Sequence, residues 1–273
     1  RIKQKIEEAG KPLKEWEVQI NYGLKTGFNE AFIIDGRTKD ELLLKCPKAA
    51  EIIRPLLRGQ DIKKFQINFS DKWIINSHNG LREHKIPPIN MADYPAIFEH
   101  LKKYEVALRK RLDKGDHWTN LRNCAYVLEF EKPKIVWQEL SRSGNAFCYV
   151  DEPMYLNNTG FILTGVSNDK LKYLTAILNH NISLFYLEQV YNKLDETGWS
   201  RYKMAVERIP IPPVSDSIVQ KIGSLVDSIQ FKVKKSLSQG SEKEEISKII
   251  YSLYNLTDQE VNILENRIAS YFI

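Results

Sequence analysis

The chain has 273 residues and is 42% hydrophobic, which allows a sizeable core and excludes wholesale disorder. Its net charge of +5 permits a nucleic-acid partner without demanding one. Cys46, Cys124 and Cys148 fit neither a zinc site nor a disulfide framework and point to a cytoplasmic setting, and no apolar run reaches membrane length, so no membrane partner is expected.

In chain order, RIKQKIEEAGK reads as a helix that stops near Gly10. The chain opens on Arg1 already in helical pattern, so residues 1–12 are expected to be the tail of an upstream segment of a longer protein. Trp16, Val18 and Ile20 alternate with polar residues and predict a strand. NYGLKTGFNEAFII, residues 21–34, follows. Gly23 and Gly27 are too close together for a phosphate-cradling loop, and Lys25 and Thr26 lie between the glycines rather than after them. The residues through Phe32 and Ile34 read as a second strand, which makes the segment a strand–turn–strand.

Thr38 with Glu41 predicts a capping box for a short helix over Leu42 to Leu44. Pro47 opens another helical stretch toward Arg54. Phe65, Ile67 and Phe69, then Trp73 to Ile75, read as strands. A long helix is predicted from about Tyr94 to Leu112, with Ile97, Leu101, Tyr104 and Leu108 on one face. Its basic end, Arg109-Lys110-Arg111, suits a helix C-terminus. Strands follow near Ile135 to Trp137, Phe147 to Val150 and Phe161 to Thr164, then a helix over Leu171 to Leu178.

NKLDETGWSRYKMAVERIPIPPVS is polar, ends in an extended proline segment, and marks a boundary. Beyond it Ile218, Ile222, Leu225, Val226, Ile229 and Val233 recur at helical spacing. Ser241 with Glu244 and Thr257 with Glu260 predict capped second and third helices. The fold class is α+β. A body over residues 1–214 carries a mixed, largely antiparallel sheet with packed helices, and residues 215–273 form a C-terminal helical module.

Catalytic constellations are sparse. The sequence holds no dinucleotide glycine fingerprint and no nucleophile elbow, and its histidines lack metal spacing. EFEKPKIVWQE places Glu129, Glu131, Lys134 and Glu139 around a strand, as metal nucleases do, but without the acid-x-lysine triplet. No catalytic or metal-ligating residue is assigned.

What recurs instead is polar loops with cations, amides and rings together. They comprise Lys25, Thr26, Phe28 and Asn29; Arg54 and Arg58; His117, Trp118, Asn120 and Arg122; Gln138, Ser141 and Arg142; and Trp199 to Lys203. Arginine, asparagine and glutamine match base edges, lysine and threonine fix phosphates, and rings stack on unpaired bases. Each loop equally admits a plainer reading, with its polar groups solvated and its ring buried.

Taken in order, YGLKTGFNEAFIID, EIIRPLLRGQDIKKF, YPAIFEHLKKYEVALRKRLDKGDHWTNLR, FEKPKIVWQELSR, YLNNTGFILTG, LTAILNHNISLFYL, RYKMAVERIPIPPVS and IIYSLYNLTDQEVNILE resemble the TaqI-like C-terminal specificity domain, over about residues 16 to 268. That resemblance implies target recognition in an adenine DNA methyltransferase or type IIG restriction–modification enzyme. It implies double-stranded DNA as a partner, and a methyltransferase domain upstream in the same polypeptide. S-adenosylmethionine, and magnesium where the parent cleaves DNA, would belong to that parent rather than to this fragment, which would catalyse nothing by itself. The carried-over recognition residues are Lys25, Thr26, Asn29, Arg54, Arg58, Trp118, Arg122, Arg142, Arg201, Tyr202 and Lys203. Two alternatives stay open: a protein-interaction module of a phage-defence methyltransferase complex, and the metal-dependent nuclease.

Overall fold

The computed structural model describes residues 1–141, 144–190, 199–200 and 203–271. Side-chain alternation along four strands builds its centre. An antiparallel sheet runs in the order Phe147–Val150, Lys134–Gln138, Gly160–Thr164, Gln19–Tyr22. One face presents Ile20, Ile135, Trp137, Phe147, Tyr149, Phe161 and Leu163 to a first hydrophobic core. The opposite face presents Val136, Cys148, Val150 and Ile162 to a second. Successive residues point to opposite sides of a strand, so this sheet is the wall between two cores. Burial on both faces is why Lys134–Gln138, Phe147–Val150 and Gly160–Thr164 read as apolar runs, whereas the edge strand Gln19–Tyr22 buries Ile20 alone and reads by alternation.

The register aligns Phe147, Trp137, Phe161 and Tyr22 in one row across the sheet. Neighbouring rings lie 5.3, 5.3 and 4.5 Å apart between centroids. Trp137, Phe147 and Phe161 are buried, and each contributes about 1.5–3 kcal/mol by leaving water.

The first core is covered by helices Ile2–Ala9, Asn168–Asn179, Asn181–Val190, Asp216–Lys234, Gly240–Leu253 and Asp258–Ala269. The apolar faces after Ser215 therefore pack on the body. Lys172 pairs with Asp227 at 2.6 Å. The Tyr173 and Tyr254 hydroxyls donate to the Pro212 and Pro210 carbonyls at 2.8 and 2.7 Å, which pins the proline segment between helices on either side of it in sequence. Pro210–Ile211 also pairs antiparallel with Lys11–Pro12.

The second core holds helices Asn29–Phe32, Gly36–Lys45, Pro95–Lys102 and Glu105–Lys110. It is closed by a sheet ordered Tyr155–Leu156, Ile53–Leu57, Lys72–Ile75, Ile33–Asp35. Its pairings are antiparallel except for Tyr155–Leu156 on Leu56–Leu57.

Several expectations are corrected. Residues 21–34 are not a simple strand–turn–strand: Phe32 closes the helical turn Asn29–Phe32 rather than lying in a strand, and Gln19–Tyr22 and Ile33–Asp35 belong to different sheets. Arg54 is not at a helix end but in the strand Ile53–Leu57. The long helix breaks at Tyr104, whose non-helical backbone lets its ring pack on Phe28 and His100. The helix predicted from Thr38 starts earlier, because the Asp35 side chain accepts from the Thr38 N–H at 2.8 Å. Ser241 lies inside its helix, whose cap residue is Gln239. The Thr257–Glu260 box forms in both directions.

The chain passes between the sheets through residues 23–32 and again through residues 157–159. These crossings touch. The Leu24 N–H donates to the Leu156 carbonyl at 2.7 Å, and the Gly23 N–H to that of Gly160 at 3.0 Å. A Cβ on residue 23 would stand 1.8 Å from the Asn157 carbonyl oxygen. Gly23→Ala is therefore expected to destabilise the fold by about 3 kcal/mol, read from the urea midpoint at unchanged m-value.

Candidate nucleic-acid interface

An open cleft of about 490 Å³ lies over these crossings, with Tyr22, Lys25, Arg122, Asn123, Glu139 and Asn158 among its lining residues. Two of the sequence-predicted residues, Lys25 and Arg122, are thus brought to one place by different loops. Lys25 is exposed. Arg122 is half-exposed and donates to Asp113 at 2.9 Å. Asn123 accepts from the Asn79 amide at 2.7 Å, and Asn158 is exposed on its turn. Burial pushes the neighbouring Cys124 thiol up to about 11 and the Tyr126 phenol up to about 12, so both stay protonated at neutral pH.

The first loop is built by its own polar groups. The Thr26 side chain is buried; its hydroxyl donates to Asn29 Oδ1 at 2.7 Å and accepts from the Phe28 N–H at 3.2 Å. Gly27 has φ +70°, which an L side chain rarely adopts. Thr26 and Asn29 therefore shape the turn that presents Lys25. Phe28 packs on Tyr104 with ring centroids 5.9 Å apart.

Arg111 holds this loop to the next one. It caps the helix Glu105–Lys110 and is 5% exposed. Its guanidinium donates to the carbonyls of Leu108, Thr26, Trp118 and Asn120 at 3.3, 2.5, 2.8 and 3.0 Å and lies 4.5 Å from the Phe32 ring centroid. Burial pulls its pKa down to about 10, which leaves it charged at neutral pH. A planar fork with five donors suits several carbonyls at once. The sequence pattern hid this role, because an arginine at a helix end is already explained by the helix dipole.

Trp118 is not available as an open stacking surface. It is buried, packed against Phe98 and His117, with Arg109 5.3 Å from its ring centroid. Asn120 is also interior and donates to the Ile89 carbonyl at 3.0 Å. Arg54 binds Glu131 at 3.2 Å and the Ala50 carbonyl at 2.9 Å, while Glu51 accepts from Tyr94.

Arg58 donates to both carboxylate oxygens of Asp61 at 3.0 and 3.2 Å. Burial raises the Asp61 carboxyl, but hydrogen bonds from the Arg58 side chain and backbone and from Ser70 outweigh it, so its pKa falls below the ordinary value. The turn abuts the cleft wall, since the Gly59 N–H donates to Thr159 Oγ1 at 2.7 Å. Lys203 lies on the short helix Lys203–Val206 and pairs with Glu207 at 3.5 Å. Arg142, Arg201 and Tyr202 lie outside the described residues.

The acids considered for a nuclease do not converge. Glu129 binds Thr164 and Lys132, and Glu131 binds Arg54 and Tyr155. Buried Lys134 donates to the Lys132 and Glu152 carbonyls at 2.7 and 3.0 Å. Among the described residues no three His, Cys, Asp or Glu side chains are grouped to hold a metal ion, and no helix is long and apolar enough to cross a membrane. A larger groove of about 670 Å³ is lined by Pro88, Met91, Phe98, Glu99 and Asp116 among others, with no lysine or arginine in its described lining. It is a poor match to a polyanion.

Residues 54–211 match the model of the TaqI-like C-terminal specificity domain. The chain belongs to that family. Two curated relatives are similar to it. The type II methyltransferase M.MjaIV of Methanocaldococcus jannaschii is 23% identical over 87% of this chain and 79% of its own length. The type II methyltransferase M.BstVI of Geobacillus stearothermophilus is 23% identical over 93% of this chain and 43% of its own length.

Among solved structures, the type IIL restriction-modification enzyme MmeI, solved with DNA, superposes with a TM-score of 0.65 at 11% identity, over 93% of this chain and 35% of MmeI. The type IIG restriction endonuclease BpuSI superposes with a TM-score of 0.55 at 12% identity, over 93% of this chain and 32% of BpuSI. At such identities the likeness is one of fold, and this specificity domain spans about a third of each enzyme.

Arg111→Met in the specificity domain strands buried carbonyls and frees the loop around Thr26. The variant is expected to lose about 3 kcal/mol of stability and to be cut faster between residues 22 and 29 under limited proteolysis. An unchanged urea midpoint and digestion pattern would show that the loops stand without it.

Proposed function

We propose that this specificity domain binds duplex DNA across the cleft at the junction of its two four-stranded sheets and holds a target sequence for an adenine methyltransferase domain in the same polypeptide. The observation that carries the reading is the convergence of Lys25 and Arg122, from separate loops, with the Asn123 and Asn158 amides in one open cleft. Cations at the rim neutralise phosphates and set register, while amides within reach match base edges. Arg58, on the turn against the same wall, is an adjoining phosphate contact. Lys203, Arg142, Arg201 and Tyr202 are proposed to extend the surface. Thr26, Asn29 and Trp118 serve it by shaping the loops.

The domain performs no methyl transfer of its own in this reading. S-adenosylmethionine, and magnesium where the parent cleaves DNA, act in the remainder of the parent. The type II methyltransferase relatives and the restriction–modification folds support that assignment.

Fluorescence anisotropy with mixed-sequence duplexes over a salt series tests the proposal. Binding is expected to weaken steeply with salt, by roughly 0.9 log units per log unit of salt for each phosphate neutralised. Lys25→Ala and Arg122→Ala should each weaken binding several-fold and reduce that slope by about one. No binding even at low salt would favour the protein-interaction reading, and unchanged slopes in both variants would move the interface off this cleft.

A further inference from the structure

The cleft contains a feature that phosphate binding does not explain. Glu139 lines it beside Lys25 and Arg122, half-buried, and no described side chain pairs with its carboxylate. It is held rigidly. Gln138 pairs with Gly160 in the sheet, and the Glu139 N–H donates to the Thr159 carbonyl at 3.1 Å. Strand ends fix a side chain more narrowly than free loops do. The adjoining turn is equally fixed: Asn157 Oδ1 accepts from Thr159 Oγ1 at 2.5 Å, and the Asn157 N–H donates to the Leu57 carbonyl at 3.0 Å.

A carboxylate facing DNA is repelled by phosphates and gains nothing at the backbone. It becomes favourable where a base offers an amino donor in the groove, and a glutamate matches the N4 amino group of cytosine. Resting on the duplex reading of this cleft, we infer that Glu139 is a specificity-determining residue that accepts a hydrogen bond from cytosine N4 in the target. Tyr22 stands beside it at the sheet edge, 45% exposed and backed by Phe161 at 4.5 Å, which provides a braced apolar face next to the base edge.

The test is equilibrium selection of the intact chain on a pool of duplexes with randomised base pairs, followed by sequencing. The native protein is expected to enrich a motif containing a fixed C·G pair. Glu139→Gln, which keeps the shape and removes the charge, should lower the preference at that pair by about tenfold or more and leave the other positions enriched. Glu139→Ala should do the same, so that one poorly folded variant does not decide the result. Native binding with a motif that neither variant alters, or that both flatten uniformly, overturns the role of Glu139 alone. An absence of duplex binding by the native chain overturns the duplex reading on which the inference rests.

Discussion

The crossings at residues 23–32 and 157–159 touch where they pass between the two four-stranded sheets, and they can meet at this separation because residue 23 carries no side chain. The crossing fixes more than a turn. It sets the end of the strand Gln19–Tyr22 against Asn157, brings the Lys25 loop over the junction, and leaves the turn 157–159 beside Glu139. Arg111 then ties that loop to the segment that leads to Arg122. Charge on the rim of the cleft is thereby positioned by buried backbone contacts.

The same economy appears in the polar residues that look most like ligand readers. Thr26 and Asn29 hydrogen-bond to each other, Asn120 satisfies the Ile89 carbonyl, and the Arg58–Asp61 pair closes its own turn. Buried polar groups without partners are costly, so a loop that must hold one conformation against water spends many of its polar side chains on itself. The residues left open to a partner are fewer, among them Lys25, Asn158, Tyr22 and Glu139, with Arg122 half-exposed beside them in its pair with Asp113.

Much of the fold was legible in the sequence. The strands near residues 135, 147 and 161 announced themselves as apolar runs, the late helices by their 3.6-residue periodicity, and the last helix by its Thr257–Glu260 box. Those signals are local. Sheet membership is not local, which is why Gln19–Tyr22 and Ile33–Asp35 read as one strand–turn–strand although they join different sheets. The break at Tyr104 was hidden for a similar reason, since the apolar stripe continues through it and the Phe28 ring that packs on Tyr104 is distant in sequence. At the cleft, Lys25 and Arg122 could be picked out by residue type, but Trp118 could not be told from an exposed ring. Tyr22 and Asn158 carried no signal, because their exposure depends on how the two crossings meet.

In the proposed function, duplex DNA meets the protein at the junction of the two four-stranded sheets. Amide hydrogen exchange of the chain with and without saturating duplex tests it most directly. Slowed exchange is expected at residues 22–29, 121–126, 138–139 and 157–159. Protection confined to other surfaces, such as the groove around Pro88 and Phe98, would contradict it.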